Sequence, residues 1–270
     1  MKAVFNKAFH DSGRFVFWMS VASVLYVLLI MAFYPSMIEQ SEEMDKLMES
    51  YPKEMMSMFY GGDVEEMSIS DPGNYVQSQF ITWLELMLGG IVIVQAFNAL
   101  TNAERDGTLD VMLSLPVSRR AYLLGRILNT VAGVLILLAA CWGSLWLSTL
   151  IWPEFDVSIG RLALGTFGGF FPTMVVAGFA YLLAAIIPSS KHFSGPLCYL
   201  FLFGSYLLYM LAAMINSLKG FKPIFVFHYY NGGQIIREGI NVGDWLLLSG
   251  VAVIYFALAW WLVEKKELGV

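Results

Sequence analysis

Six long apolar runs separated by polar stretches set the pattern of the chain. They cover about residues 14–34, 76–100, 122–152, 161–187, 193–217 and 244–263. Each is close to or above the roughly 20 residues that carry a helix across the hydrocarbon of a bilayer. Open strands cannot satisfy their backbone in lipid, so the runs predict helices. Pro35 ends the first run and Pro188 the fourth. The expected fold is an all-α membrane protein with six transmembrane helices, residues 1–270 forming a single transmembrane domain.

The polar stretches carry patterns of their own. Ahead of the first run, Val4, Phe5, Ala8 and Phe9 share one helical face, while Lys7, His10, Asp11 and Arg14 lie elsewhere. That predicts an N-terminal amphipathic interfacial helix lying flat on the membrane; the bland alternative is a frayed tail. No short apolar core with a small-residue cleavage site precedes it, so the first run reads as an uncleaved anchor. The loop 36–75 is acidic, with Glu39, Glu42, Glu43, Asp45, Glu49, Glu54, Asp63, Glu65, Glu66 and Asp71 against Lys46 and Lys53. Met37, Met44, Met48 and Tyr51 recur there at near-helical spacing, and a second short helix is expected over 53–60, ended by Gly61-Gly62. Thioether ligands admit a copper(I) reading, but flexible apolar packing explains the methionine spacing better. The loop 218–243 holds Phe221, Ile224, Phe225, Val226, Phe227, Tyr229 and Tyr230. It is too apolar to be free and too broken to span twice, which predicts a half-inserted hairpin or short interfacial helices.

Composition agrees with this picture. The chain is 58% hydrophobic and 14% charged, where a soluble domain carries about 25% charged residues. The net charge of −5 is segregated rather than spread. Lys2, Lys7, Arg14, Arg105, Arg119, Arg120, Arg126, Lys191, Lys265 and Lys266 gather on one side. Lys46, Lys53, Arg161, Lys219, Lys222 and Arg237 fall on the other, mostly in longer loops. The positive-inside rule makes the first side cytoplasmic, with both termini there. The expected location is the plasma membrane, and the bilayer is a partner; no nucleic-acid partner is expected. Trp152 and Trp245 at outer ends, and Trp18, Trp260 and Trp261 near inner ends, fit an aromatic belt. Cys141 and Cys198 lie inside apolar runs and read as buried free thiols.

Common catalytic motifs are missing. There is no Gly-Lys pair, hence no phosphate-cradling loop of the common ATPases. His-Glu-x-x-His and Gly-x-Ser-x-Gly are absent too, and His10, His192 and His228 sit on three different segments. The chain is expected to bind no cofactor or metal and to be no enzyme.

The most informative stretch is the polar insert Ala103–Arg120. Asp106-Gly107-Thr108 breaks the second span's helix, with Gly107 for the turn and Thr108 as a cap. Leu109, Met112 and Leu113 then share an apolar face, and Pro116 stops the run. Periodicity alone gives a short docking helix, and the bland alternative is a solvated loop. Here Glu104, Gly107, Thr108, Leu109, Leu113, Pro116, Val117, Ser118, Arg119 and Gly125 resemble the cytoplasmic loop of ABC-2 type ABC transporter permeases; Arg126 stands where Lys is commoner. The six-span layout and the two large outer loops, 36–75 and 218–243, fit that family as well. The resemblance implies an ABC-2 (type II exporter-like) bundle and a coupling helix that enters a cleft on a separate ATP-binding subunit. Contact residues would be Glu104, Asp106, Gly107, Thr108, Leu109, Met112, Leu113, Pro116, Arg119 and Arg120. It also implies ATP and Mg on that subunit, and assembly with a second copy or a related permease.

Glu85 is the carboxylate that falls inside a span, roughly 13 Å deep at about 1.5 Å per residue. Charges there usually face a partner or a wet cavity. Arg161 and Lys222 are the nearest expected partners, and a purely structural role is an equal alternative. Gly89-Gly90, Ala139-Ala140-Gly143, Gly165 with Gly169, and Gly204 mark expected close helix contacts. The leading expectation is the permease subunit of an ATP-driven exporter of an amphipathic compound: a drug, a peptide antibiotic or a lipid-like molecule. The alternatives are an ion-coupled secondary transporter, which would want more intramembrane acids and repeats, and a membrane sensor or scaffold with an acidic outer loop.

Overall fold

The computed structural model describes residues 2–41, 43, 45–46, 68, 71–114, 117–188, 190 and 193–265, without the side chains of 110, 113, 213, 214, 216 and 219. Among these residues the regular elements are all helical. Six stretches are long and apolar enough to cross a membrane: Lys2–Glu39, Pro72–Arg105, Arg119–Ile151, Ile159–Ile186, Ser194–Ala212 and Val242–Lys265.

The first span is α1 (Lys2–Ala32) followed by α2 (Tyr34–Glu39). The N-terminal residues do not form a separate flat helix, contrary to the sequence expectation. They run into the span as one helix of 31 residues, about 46 Å long. The reason is packing. Val4 and Ala8 are buried along α7 (Arg119–Ile151), where Gly125 leaves room: a Cβ there would lie 3.0 Å from Val4 Cγ1. The helix predicted over 53–60, and the methionines from Met44 to Met67, lie outside the described residues.

The second span begins earlier than its apolar run, at α3 (Pro72–Val76), because Asp71 caps it by accepting from Asn74 N at 2.8 Å. A π-turn (Gln77–Ile81) leads into α4 (Thr82–Ala99) and then α5 (Thr101–Arg105). After the short α6 (Thr108–Ser114) the chain returns through α7. The fourth span is broken in two, α8 (Ile159–Gly168) and α9 (Phe170–Ile186), with Gly169 at the joint. The fifth is α10 (Ser194–Met214). Two 3₁₀ segments (Asn216–Ile224 and Val226–Tyr229) and α11 (Gly232–Glu238) then form the short helices expected in loop 218–243. Val226, Phe227, Tyr230, Ile235 and Ile236 are buried, which is why this stretch is so apolar. The last span is α12 (Val242–Lys265).

The core lies along the second and fourth spans, which are mostly buried; the first, fifth and sixth are mostly exposed. α1 packs along α7, and α9 packs along both α4 and α12. The exposed faces carry Phe17, Trp18, Leu25 and Leu29 on α1, Leu200, Phe203 and Leu207 on α10, and Leu246, Val253 and Ile254 on α12. Such faces suit lipid, where apolar exposure carries no hydrophobic cost. Cys141 and Cys198 are free and buried. Of the expected small-residue contacts, Gly89 meets Leu202 of α10 and Gly165 meets Ile236 of α11, whereas Gly143 faces open space.

Candidate functional site

The polar insert starts with a break that the sequence pattern did not predict. Leu100 leaves helical geometry (φ −121°, ψ −68°), ending α4 before the expected turn. One helical turn later Asp106 N donates to Asn102 O at 2.9 Å, and Gly107 takes φ +70°. That left-handed conformation favours glycine and fixes the turn into α6. Thr108 does not act as the expected N-cap acceptor: its hydroxyl donates to Ala103 O at 3.2 Å, pinning α6 to α5. Ser118 caps α7 by accepting from Ala121 N at 3.2 Å.

The apolar face of the expected docking helix is partly buried within the chain itself. Leu109 is only 6% exposed and belongs to the main core, and Met112 packs against it. Val111 is 67% exposed and points away from that core. The Leu113 side chain, Leu115 and Pro116 lie outside the described parts. Asp106 and Thr108 are exposed, and Glu104 is half-buried. Arg120 turns toward the last span: it pairs with Glu264, and its guanidinium lies 4.5 Å from the Trp260 ring. Lys265 sits 3.9 Å from the Trp261 ring. Tryptophan and cation together suit the headgroup level of a membrane. The Arg120 contacts bring the end of α12 to the α6 end of the bundle, where Val4 of α1 also lies against Gly125.

Glu85 lies on α4, one turn past the π-turn, and is buried. Its Oε1 has no hydrogen-bond partner. Arg161, expected as its partner, instead donates to Arg237 O at 3.1 Å. Tyr230 lies near enough to feel the Glu85 charge. Burial first, and that charge second, hold its phenol well above the usual value, so it stays a donor. It donates to Gly165 O at 2.5 Å.

Reasoning from sequence missed a cavity of about 310 Å³, lined by both apolar and polar groups, at the α6 end between α1, α4, α7 and α9. Gln95 and Asn98 line it from α4, and Arg126, Asn129 and Thr130 from α7. The signal was present in the spacing, since positions three and four apart share a helix face.

Six apolar helices, with a short amphipathic helix at one end of the bundle, define a multi-pass membrane protein. The chain belongs to the family described as "Multidrug efflux system permease Rv1217c, C-terminal domain", which matches residues 12–263 and so takes in all six spans. No curated protein matches it.

Proposed function

We propose that this permease is ATP-driven and of the ABC-2 type, exporting an amphipathic compound with energy from a separate ATP-binding subunit that holds ATP and Mg. Two copies, or one copy and a related permease, assemble with that subunit in the plasma membrane, both termini in the cytoplasm. The observation that carries this reading is the two-sidedness of α6. Leu109 ties the helix into its own core, while Val111 is left exposed. A transmission element needs both: one face for the partner and one held by the bundle. α6 also follows directly on the mostly buried second span, so a push on it reaches the centre of the bundle. Glu104, Asp106, Met112, Leu113, Pro116 and Arg119 are the remaining proposed contacts, with Gly107 and Thr108 shaping the turn. Arg120, engaged with Glu264, contributes by fixing α7 to α12.

Transport into inside-out vesicles tests the reading. ATP with the partner subunit should drive uptake of a fluorescent amphiphile, and the chain alone should turn over no ATP. Uptake driven by a proton gradient without ATP would contradict it. One observation favours that second reading: the unpartnered Glu85 oxygen. Under the ATP-driven account Glu85→Gln retains most ATP-dependent transport; under proton coupling it abolishes transport.

A further inference from the structure

The cavity between α1, α4, α7 and α9 is lined by a cation, Arg126, that no carboxylate among the described residues pairs with directly. Arg126 is half-buried on its wall. Its Nε donates to the Tyr122 hydroxyl at 3.2 Å, and its guanidinium lies 5.3 Å from the Tyr122 ring. Tyr122 is itself held by donating to Ala99 O at 2.8 Å, so the stem of Arg126 is fixed. No carboxylate among the described residues lies within ion-pair distance of Arg126. Its two terminal amino groups, with four of the five guanidinium N–H donors, have no acceptor among the described residues.

The surroundings mix apolar surface with polar groups that are incompletely satisfied. Ser12 donates to Asn129 Oδ1 at 3.1 Å, and Thr130 and Tyr181 share a hydrogen bond of 3.0 Å. The Gln95 amide, on the α4 wall, has no partner among the described residues for either its nitrogen or its oxygen. Asp11 at the rim is paired with Lys7 at 4.0 Å, so its charge is partly offset. Phe15 and Val94, also on the rim, are exposed and apolar.

Depth points to the ligand. Arg126 lies seven residues into α7, which begins at Arg119, so about 10 Å along its axis. Arg119 and Arg120 stand at the headgroup level; Arg126 therefore lies near the top of the acyl region, where an uncompensated charge is costly. An anionic group answered by the guanidinium fork removes that cost, and phosphate matches the fork. The apolar rim gives an attached tail a way into the bilayer.

We propose that this cavity binds a phosphate-bearing amphiphile from the leaflet next to α6, with Arg126 holding the phosphate and Gln95 hydrogen-bonding its oxygens or ester. The inference rests on the membrane-embedded bundle, not on ATP coupling. Binding is measured without ATP or a partner subunit, so either proposal can fail alone.

The test is calorimetric titration of the full chain in a neutral detergent with three probes: dihexanoyl phosphatidic acid, dihexanoylglycerol and inorganic phosphate. The phosphatidic acid should bind saturably, and the other two at least about tenfold more weakly, as loss of a charge-assisted hydrogen bond implies. Arg126→Gln should weaken phosphatidic acid binding at least about tenfold, Arg126→Lys less, and Gln95→Leu a few-fold. If Arg126→Gln fails to fold, Arg126→Lys and Gln95→Leu decide, and wild-type affinity in both overturns the proposal. Equal binding of dihexanoylglycerol overturns it too. Inorganic phosphate binding as tightly as the lipid would make this a site for the free ion and overturn the amphiphile.

Discussion

At the α3 end of the bundle, short helices from distant parts of the sequence are tied to one another; at the α6 end, Arg126 and Gln95 line a cavity, the first without an ion-pair partner and the second without a hydrogen-bond partner among the described residues. Gln77 accepts from Gly233 N at 2.9 Å across 156 positions. Arg237 reaches Asp71 at 3.6 Å and also bonds Asn74. Tyr34, Tyr75 and Phe155 cluster with ring centroids 4.9 and 5.4 Å apart, and the Tyr75 hydroxyl donates to Ile30 O at 2.5 Å. The α6 end has Val111 exposed, an Arg126 without a carboxylate and an unpartnered Gln95 amide. Satisfied buried networks rigidify; unsatisfied buried groups call for an explanation, and a bound ligand is one. The contrast gives the α3 end a fixed, structural character; recruitment at the α6 end is the proposed role.

Overpacking should expose the difference most strongly. A Cβ at Gly233 would lie 2.7 Å from Gly73 O, a backbone atom that has nowhere to move. Gly233→Val should therefore cost about 3 kcal/mol, read as a large drop in thermal stability in detergent. A wild-type melting temperature would remove the claim that α3 and α11 are locked. Charge removal comes next. Arg237→Gln leaves Asp71 and Asn74 without their shared donor and should cost about 2 kcal/mol. Arg120→Gln should cost about 1 kcal/mol or less, since both partners are nearly half exposed and surface pairs are weak. Equal costs would erase the contrast. Of similar size in stability is Gly107→Ala, about 1 kcal/mol for a side chain at φ +70°. Its effect on partner-stimulated ATPase activity should be far larger than its effect on melting. Sidedness is checked by labelling: a Cys at Asp63 should react from outside intact cells, and a Cys at Ser118 should not.

The six spans were legible because lipid leaves the backbone few choices. The short helices of loop 218–243 were legible from their apolar content. The breaks at Leu100 and Gly169 were not, since neither carries a local signal strong enough to end a helix. The first-span start was misplaced for a tertiary reason: Val4 and Ala8 found α7, which no local pattern shows. The same holds for Leu109, whose burial depends on the bundle beneath it. Glu85 stood out in sequence, but its lack of a partner is visible only in three dimensions. Gln95 carried no signal of its own in the sequence, and Arg126 stood out only as a cation flanking the return to the membrane, until α1 and α9 were placed around them.

The central claim is that α6 offers its exposed face to an ATP-binding subunit while its other face grips the core. Val111→Asp tests it most directly, because the residue is exposed and its replacement leaves the fold undisturbed. Co-purification with the ATP-binding subunit and stimulated ATPase activity are measured on the same sample, alongside Leu113→Asp. The account predicts that Val111→Asp inserts and melts like wild type but loses the partner or its stimulation. Wild-type co-purification and wild-type ATPase activity in both variants would contradict it, leaving the 104–120 insert as a solvated connection.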